Sequence, residues 1–600
     1  MKRTALLLSL MLTAVSATAQ WKIAGDRIRT PWADQVDPSA TLQEYPRPQM
    51  VRAQWVNLNG LWDYAILPIN CNYTGSQGKI LVPFAVESAL SGVGRTVGEE
   101  NNLWYSRNFT VPKEWKGKRV ILHFGAVDWK TEVWVNDVKV ASHTGGYTPF
   151  ECDVTDALIG GNNSLRLKVW DPTDEGYQPR GKQVNEPEGI WYTSVTGIWQ
   201  TVWMEPVAQQ HISSLRITPD LDRSVIKVKA EGVCNGIINV DIKQDGKLVG
   251  SAKAVGGMTA EVVLENPRLW TPDDPYLYDM EVTFTVDGKV CDKVGSYCAM
   301  RKISSVEDKD GIKRMALNNK PIFMLGPLDQ GWWPDGLYTA PTDEALAFDV
   351  QKTKDMGFNM IRKHVKVEPA RWYYHCDRLG IMVWQDMPSG DLNGSWTSND
   401  FYNKSEFVRS VESEENYRTE WKEIMDYLYS SPCVVVWVPF NEGWGQFKTV
   451  EIASWTKYCD PSRLVNPASG GNHFLFAGDI LDLHHYPMPE LYLSDAKRIL
   501  VLGEYGGIGF PVRDHLWTND RNWGYIKFES SRDVTDEYVK YGNSLLEYVG
   551  KGFSAGVYTQ TTDVEIEVNG LMTYDRKIDK VEIQRVKEIN SRLCHSLDNK

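Results

Sequence analysis

The sequence carries little positive charge, lacks repeats and has no long apolar run beyond its first residues. Its 600 residues include 65 Lys and Arg against 78 Asp and Glu, which gives a formal charge of −13. Nucleic-acid-binding proteins need a basic surface, so this balance argues against a nucleic-acid partner. The composition, 42% apolar and 24% charged, is otherwise that of a soluble globular protein.

Cysteine is also scarce, and its spacing matches no metal-binding pattern. The nine cysteines are odd in number, and structural zinc sites need closely spaced pairs of ligands. Cys291 and Cys298 are the nearest pair and could form a disulfide in an oxidising compartment. Free buried thiols are the preferred interpretation for most of the others.

The first residues predict an export signal rather than part of the folded protein. Lys2 and Arg3 precede an apolar stretch at 5–15, and residues 17–19 form a small-x-small cleavage site. A signal peptide at 1–19 would leave a mature chain beginning at Gln20. The apolar stretch is too short for a membrane span. We therefore expect an exported protein, periplasmic or secreted, without a membrane span.

The mature chain begins with two stretches that predict β-structure only. Residues 163–170 alternate apolar and polar side chains, and the turn at 136–137 separates other alternating runs. Region 20–206 therefore predicts a jelly-roll β-sandwich. Region 207–301 fits an immunoglobulin-like β-sandwich, with its clearest strands at 212–218, 225–230, 237–243 and 278–286.

The pattern then changes to strands that alternate with helical segments. Over region 302–600, short apolar runs recur between amphipathic segments, the first of which is the predicted helix at 343–356. Eight strands alternating with helices over about 300 residues predict a TIM barrel. The predicted strands are 321–325, 358–362, 381–385, 434–438, 463–467, 480–483, 499–502 and 554–558.

Two glutamates follow the fourth and seventh predicted strands. Glu442 comes after the run at 434–438, and Glu504 after the run at 499–502. Side chains at the carboxyl ends of barrel strands are where barrel enzymes place their chemistry. A pair of carboxylates is what a glycosidase needs, with one acting as proton donor and the other as nucleophile or base. Their separation decides between retention and inversion, and the sequence does not give it.

At these residues the chain resembles glycoside hydrolase family 2, the family of β-galactosidases, β-glucuronidases and β-mannosidases. Asn441-Glu442 resembles the acid/base motif of the family, and Glu504-Tyr505-Gly506 resembles its nucleophile motif. The resemblance covers essentially the whole mature chain, in the order jelly roll, immunoglobulin-like domain and barrel. Jelly-roll motifs of the family are matched at 103–107, 189–191 and 196–199.

The resemblance implies a double displacement with retention of configuration. Glu504 would be the nucleophile and Glu442 the acid/base. Glu504 must be ionised, and Arg362 and Tyr486 are the expected hydrogen-bond donors to it. Glu442 must be protonated in the free enzyme, so we expect its pKa to be raised, partly by the charge of Glu504.

Further residues at the strand ends are candidates for binding the sugar. Asn441 is expected at the 2-hydroxyl, with a turn or helix-capping role as the alternative. For Arg362 the alternative is a structural ion pair. The loops after the first, third and eighth strands should line the subsite that binds the non-reducing sugar. For the tryptophans, packing in the core is the alternative. These candidates are Trp333, Asp335, Trp384, Asp386 and Gln560.

His364 and His484 also lie at strand ends, where a metal site is one interpretation. No carboxylate stands at the spacing of recognised zinc motifs, so binding of sugar hydroxyls is preferred. No cofactor is required by this chemistry, although a structural cation at the barrel mouth stays open.

Departures from the family leave the sugar undetermined. Val365 stands where many members have His, and 558–560 lacks the tryptophan found after the eighth strand of many members. An Asn-x-Lys element of the β-glucuronidase type is missing, although Lys363 and Lys366 could bind an acid. The polar loop at 180–183 either reaches the barrel mouth or is solvated.

The sequence thus predicts a retaining exo-glycosidase acting on terminal sugars of oligo- or polysaccharides, with β-galactosidase as the best single prediction. Alternatives on the same scaffold are an α-L-arabinosidase acting on a pyranoside or furanoside, a β-galactofuranosidase and a β-glucuronidase. An inverting barrel hydrolase and a carbohydrate-binding protein without catalysis are the rivals.

Overall fold

The computed structural model describes residues 21–391 and 406–598. The predicted signal peptide at 1–19 lies outside the described residues. Within them the chain forms two β-sandwiches followed by a parallel barrel. None of the described helices has the length and apolar character needed to cross a membrane.

The first sandwich packs a six-stranded sheet on a four-stranded sheet. Strand Asn162–Trp170 alternates buried and more exposed side chains, as its sequence predicts, because one face lies on the core. The larger sheet has the order Gly78–Val82, Gly60–Pro68, Asn101–Thr110, Asn162–Trp170, Lys130–Val135 and Val138–Thr144. The smaller sheet has the order Val56–Asn57, Val202–Val207, Arg119–Phe124 and Phe150–Asp153.

The second sandwich is smaller and all antiparallel. Its three-stranded sheet contains Leu215–Asp220, Val225–Ala230 and Thr259–Val263, and its four-stranded sheet contains Lys247–Val255, Ile237–Gln244, Tyr278–Val286 and Lys289–Cys298. All nine cysteines are free thiols. Cys291 and Cys298 lie on the same strand, where seven residues of rise place them roughly 23 Å apart. A disulfide needs Cα atoms about 4.4–6.8 Å apart, so this pair cannot form one.

The third unit is an eight-stranded parallel barrel. Its strands are Met324–Asp329, Met360–Lys363, Met382–Asp386, Val434–Val438, Leu464–Val465, Ile480–His484, Ile499–Gly506 and Phe553–Thr559. Neighbouring strands in the sheet follow the order fifth, fourth, third, second, first, eighth, seventh and sixth. Asp479 N donates to Val465 O at 2.8 Å and joins the two ends of that order. Nearly every strand residue is buried, as expected for a parallel sheet covered on both faces.

The helices around the barrel are Asp343–Asp355, Ala370–Leu379, Val411–Leu428, Thr449–Cys459, Ser531–Val549 and Ile583–Cys594. Their ends follow local sequence. The Thr342 side chain accepts from Ala345 N and caps the first helix. The second helix ends at Gly380, whose φ of 74° lies in the left-handed region. The predicted helix at 343–356 is confirmed.

The predicted start of the first barrel strand is wrong. Lys320–Pro321 pairs antiparallel with Lys313–Leu317 in a small three-stranded sheet, and the barrel strand begins only at Met324. Pro321 has no N–H to donate and suits the edge of that small sheet. The fifth strand is also shorter than predicted, at Leu464–Val465.

Candidate active site

The two glutamates meet at the mouth of the barrel. Glu442 comes directly after the loop that follows the fourth strand, and Glu504 lies in the last part of the seventh. One oxygen of each carboxylate and a ring nitrogen of His484 all lie within 4.8 Å of one another. The side chain of Glu504 is 6% exposed and that of Glu442 is 17% exposed. Both carboxylates are therefore shielded while Glu442 keeps access to solvent.

The backbone of Glu442 is held in an uncommon conformation. Its φ is 51°, in the left-handed region that few non-glycine residues occupy. The N–H of Glu442 donates to Ser469 O at 2.8 Å, and the N–H of Ser469 donates to Phe440 O at 2.9 Å. These two bonds fix the residue after the strand. Strain that is held in place by its surroundings is typical of functional positions.

Two side chains donate hydrogen bonds to the carboxylate of Glu504. Arg362 Nη1 donates to Oε1 at 3.0 Å, and Tyr486 Oη donates to Oε2 at 2.6 Å. Hydrogen bonds and positive charge directed at a carboxylate stabilise the anion. The structure therefore places both expected donors on this carboxylate.

Arg362 is fully buried and organises the floor of the site. It donates to both oxygens of Asp386, at 3.1 and 2.9 Å, and its Nη2 donates to Asn441 Oδ1 at 2.7 Å. His364 Nδ1 lies 3.2 Å from Asp386 Oδ2, and burial lowers the pKa of this histidine. Asn441 Nδ2 is buried and has no partner among the described residues. A free donor next to the nucleophile is suited to a sugar hydroxyl.

Glu442 is in a different electrostatic state from the one expected. Its Oε1 lies 3.0 Å from His484 Nδ1, and its Oε2 accepts from Trp444 Nε1 at 3.3 Å. Burial favours a raised pKa, but the hydrogen bond and charge of His484 outweigh it and lower the pKa to about 2. Burial lowers the pKa of His484, but the charges of Glu504 and Glu442 raise it overall. The expectation of a raised Glu442 pKa is wrong, because the hydrogen bond and charge of His484 favour the carboxylate form.

Sequence reasoning missed the side chains behind His484. His484 Nε2 lies 2.8 Å from Ser469 Oγ, which donates to Asp482 Oδ2 at 2.5 Å. Asn466 Nδ2 donates to the same carboxylate oxygen at 2.6 Å. Because Ser469 donates to Asp482, its oxygen is left to accept a hydrogen bond from Nε2 of His484. A charged residue inside the buried sixth strand, Asp482, was the available signal.

Gln560 lies at the edge of the site and begins a second missed network. Its Nε2 donates to Asn569 Oδ1 at 2.7 Å, whereas its buried Oε1 has no partner among the described residues. Asn569 Nδ2 donates to Glu567 at 2.9 Å, and Tyr192 of the jelly roll donates to the other oxygen of that carboxylate. Tyr525 stacks on Tyr486 with ring centroids 3.8 Å apart. These contacts join loops that are far apart in sequence.

Three predicted binding residues are placed in packing positions instead. Trp333 packs edge-on against Trp32, and Trp384 Nε1 donates to the Met324 sulfur at 3.3 Å. Asp335 accepts two hydrogen bonds from Thr30, at 2.8 and 2.6 Å. All three predicted residues are at most 2% exposed. The N-terminal segment docks on Trp333 and Asp335, and Trp384 packs inside the barrel against Met324.

The two lysines considered for an acidic substrate already have partners. Lys363 Nζ donates to Asp329 at 2.8 Å and to Glu368 at 2.9 Å. Lys366 Nζ donates to Glu368 at 2.8 Å and to two backbone carbonyls. Both side chains are at most 1% exposed. Neither is available to a sugar carboxylate.

A metal ion could be bound where three His, Cys, Asp or Glu side chains lie close together. In the described part of the chain the one such group is Glu442, His484 and Glu504. The hydrogen bonds given above already use all three side chains. We assign the group to acid–base chemistry, for which a carboxylate pair with a bridging imidazole is suited.

Comparison with known proteins matches all three parts of the chain to the same protein family. Models of the family 2 glycosyl hydrolases match in order: the sugar binding domain at 94–204, the central domain at 210–301 and the TIM barrel domain at 306–494. A β-D-glucuronidase structure from Dictyoglomus thermophilum superposes with a TM-score of 0.70 at 18% identity, over 91% of this chain and 98% of that one. This likeness supports the fold.

Curated relatives carry two activity names. A putative β-glucuronidase of Formosa agariphila is 27% identical over 64% of this chain and 46% of its own length. A β-galactosidase of Thermoanaerobacter pseudethanolicus is 28% identical over 48% of this chain and 40% of its own length. The chain thus spans less than half the length of these two relatives. A β-glucuronidase of Bacteroides fragilis is 24% identical over 88% of this chain and 80% of its own length. With three family models matched in order along its length, the chain belongs to glycoside hydrolase family 2.

Proposed function

We propose that this chain is a retaining exo-glycosidase that hydrolyses terminal sugars of oligo- or polysaccharides by double displacement. The observation that carries the proposal is the approach of the two carboxylates, which have oxygens within 4.8 Å of each other. Retaining enzymes hold their carboxyl groups about 5–5.5 Å apart, whereas inverting enzymes leave roughly 6.5–9.5 Å for a water.

In the first step, Glu504 attacks the anomeric carbon and forms a glycosyl ester as the bond to the leaving oxygen breaks. Arg362 and Tyr486 orient the attacking carboxylate through their hydrogen bonds to its two oxygens. Glu442 gives a proton to the leaving oxygen. Since the free pair holds its proton on His484, that proton passes to Glu442 across the 3.0 Å hydrogen bond.

In the second step, Glu442 accepts a proton from water as the water oxygen attacks the anomeric carbon. The ester to Glu504 breaks, and the free sugar leaves with its original configuration. Asn441 Nδ2, which has no partner among the described residues, is placed to donate to the 2-hydroxyl oxygen. Hydrogen bonds at that hydroxyl strengthen in the transition state.

For the sugar itself, we propose a β-galactoside as the first candidate and a β-glucuronide as the second. The first is supported by the Thermoanaerobacter pseudethanolicus relative, which is named a β-galactosidase. The second is supported by the Bacteroides fragilis relative, which is named a β-glucuronidase and aligns over most of both chains. α-L-Arabinosides and β-galactofuranosides are further substrates to include.

Hydrolysis of nitrophenyl glycosides followed by proton NMR tests the proposal. We expect the first anomer released to have the configuration of the substrate, and release of the opposite anomer would contradict the double displacement. The Glu504→Gln variant is the control, since the amide cannot form the ester. If wild-type protein binds sugars but cleaves none of the four types of nitrophenyl glycoside named above, it is a carbohydrate-binding protein and not an enzyme.

Export of the protein is a separate proposal, which rests on the signal-peptide pattern at 1–19. Amino-terminal sequencing of protein recovered from the periplasm or the medium is expected to give Gln20 as the first residue. Recovery only from the cytoplasm with residues 1–19 intact would contradict it.

A further inference from the structure

The jelly roll contributes a buried positive charge that has no anionic partner. Lys182 is 7% exposed, and among the described residues its ammonium makes no hydrogen bond or ion pair. Its one close contact is the face of Trp191, whose centroid lies 5.0 Å from Nζ. Nζ is not among the buried side-chain nitrogens that lack a partner, so the ammonium keeps contact with solvent and is open to an incoming anion.

The segment that carries Lys182 is fastened to the barrel. Pro179 forms a bridge with Gly390, and the N–H groups of Arg180 and Gly181 both donate to Ser389 O at 2.8 Å. Gly181 has a φ of 63°, and a Cβ there would come within 2.5 Å of Val365 O. Only glycine allows this approach. Main-chain contacts of the three residues before Lys182 thus hold it at the mouth of the barrel.

A short chain of contacts leads from Lys182 to the acid/base glutamate. Trp191 packs edge-on against Trp444 with centroids 5.4 Å apart, and Trp444 Nε1 lies 3.3 Å from Glu442 Oε2. The charge of Lys182 acts on Glu442, His364 and Glu567, which follow the fourth, second and eighth barrel strands. The segment just before Lys182 contacts Val365 and Ser389, which follow the second and third strands, so Lys182 lies at this end of the barrel.

Three other cations at the barrel mouth already have anionic partners. Arg362 is paired with Asp386 and Glu504, and Lys363 and Lys366 are paired with Glu368. Glu567 forms no ion pair with Lys182, and its two carboxylate oxygens accept hydrogen bonds from Tyr192 and Asn569. Lys182 is therefore a cation that an incoming anion would meet, together with Arg180 of the same segment, whose guanidinium lies 5.2 Å from the Trp191 centroid.

We propose that Lys182 binds an anionic substituent of the substrate, either the carboxylate of a uronic acid or a sulfate ester, beside the two glutamates. The proposal rests on the proposed function and adds a substrate class to it. Gln560 Oε1 and Asn441 Nδ2, the unpaired acceptor and donor in the same site, supply contacts for neutral hydroxyls. An acidic sugar would thus satisfy groups that the chain itself leaves open.

Calorimetric binding to the full chain tests the proposal with D-glucuronate, D-galacturonate, D-galactose 6-sulfate, D-galactose and D-glucose as probes. We expect one class of acidic sugar to bind more tightly than the neutral sugars. Lys182→Met should weaken that binding by at least about tenfold, as for other truncations of a charge pair. Lys182→Arg should restore most of it, which also shows that position 182 tolerates substitution without unfolding.

Lys130→Met is the matched control, since Lys130 is also a jelly-roll lysine stacked on a tryptophan, 4.8 Å from the Trp129 centroid, but is exposed. This variant should bind every probe like wild type. Equal affinity for acidic and neutral sugars, absence of acidic-sugar binding, or unchanged acidic-sugar binding in Lys182→Met would each overturn the proposal.

Hydrolysis by the same variants separates this inference from the proposed function. If acidic sugars bind through Lys182 but no glycoside is cleaved, the proposed activity fails and the binding site stands. If wild type cleaves nitrophenyl β-galactoside and β-glucuronide in a ratio that Lys182→Met leaves unchanged, the activity stands and the role of Lys182 is refuted.

Discussion

His484 Nδ1 lies 3.0 Å from Oε1 of Glu442 and 3.5 Å from Oε2 of Glu504. One imidazole therefore connects the two carboxylates that we propose as acid/base and nucleophile. Its position depends on Gly470, where a Cβ would come within 2.1 Å of the ring. The arrangement stores a proton between two carboxylates that must be in different protonation states during the reaction.

The first prediction concerns pH. The His484 pKa is raised and the Glu442 pKa is lowered, so the pair loses its one proton only as pH rises through the raised imidazole pKa. The alkaline limb of kcat/KM should then lie above about pH 6.5, the ordinary histidine value. In His484→Gln the limb should move to lower pH, because a carboxylic acid then holds the proton. An unchanged limb would assign it to another group.

The second prediction concerns leaving groups. Glu442→Ala should reduce kcat/KM by about 10²–10⁴ on glycosides with poor leaving groups, the usual contribution of general acid catalysis. Activated nitrophenyl glycosides should lose far less, because their leaving oxygen needs little protonation. Azide should restore activity by replacing water in the second step. Equal losses on both substrate types would contradict the acid role.

The third prediction concerns Tyr486. Its hydroxyl donates to Glu504 at 2.6 Å and lies 2.7 Å from Thr559 Oγ1. Tyr486→Phe removes the bond to the nucleophile but keeps the stacking on Tyr525, so kcat should fall by roughly ten- to a hundredfold while the protein stays folded. A loss of about 1.5–3 kcal/mol for a hydrogen bond to a charged group sets this range. Steady-state kinetics with a thermal unfolding control measures it.

The fourth prediction concerns Arg362. Arg362→Met leaves Asp386 and Glu504 buried without their partner, which should destabilise the fold by about 3–5 kcal/mol as well as abolish activity. Chemical denaturation measures the first effect. Arg585→Met is the control, because Arg585 pairs only with exposed acids, and its unfolding midpoint should match wild type.

The fifth prediction separates packing from binding at Asp335. Its two hydrogen bonds to Thr30 fix the N-terminal segment. Asp335→Ala should therefore lower stability by about 1–3 kcal/mol for the lost buried partners and leave KM unchanged. A raised KM with unchanged stability would return Asp335 to the sugar-binding set.

Much of the fold follows from local sequence. Strand Val434–Val438 is apolar throughout because both of its faces are covered, and such a run is readable without a structure. The first barrel strand was misplaced because 321–325 is equally apolar. Only its pairing with Lys313–Leu317 assigns Pro321 to another sheet.

The sequence by itself determined the two glutamates, their order on the barrel and the donors Arg362 and Tyr486, because strand ends of a parallel barrel meet at one face. Tertiary structure alone decided the separation of the glutamates, the protonation of Glu442 and the position of Lys182. The physical reason is distance along the chain. Glu442 contacts His484 across 42 residues, and Tyr192 contacts Glu567 across 375. Such contacts exist only after the barrel has closed and the jelly roll has docked on it.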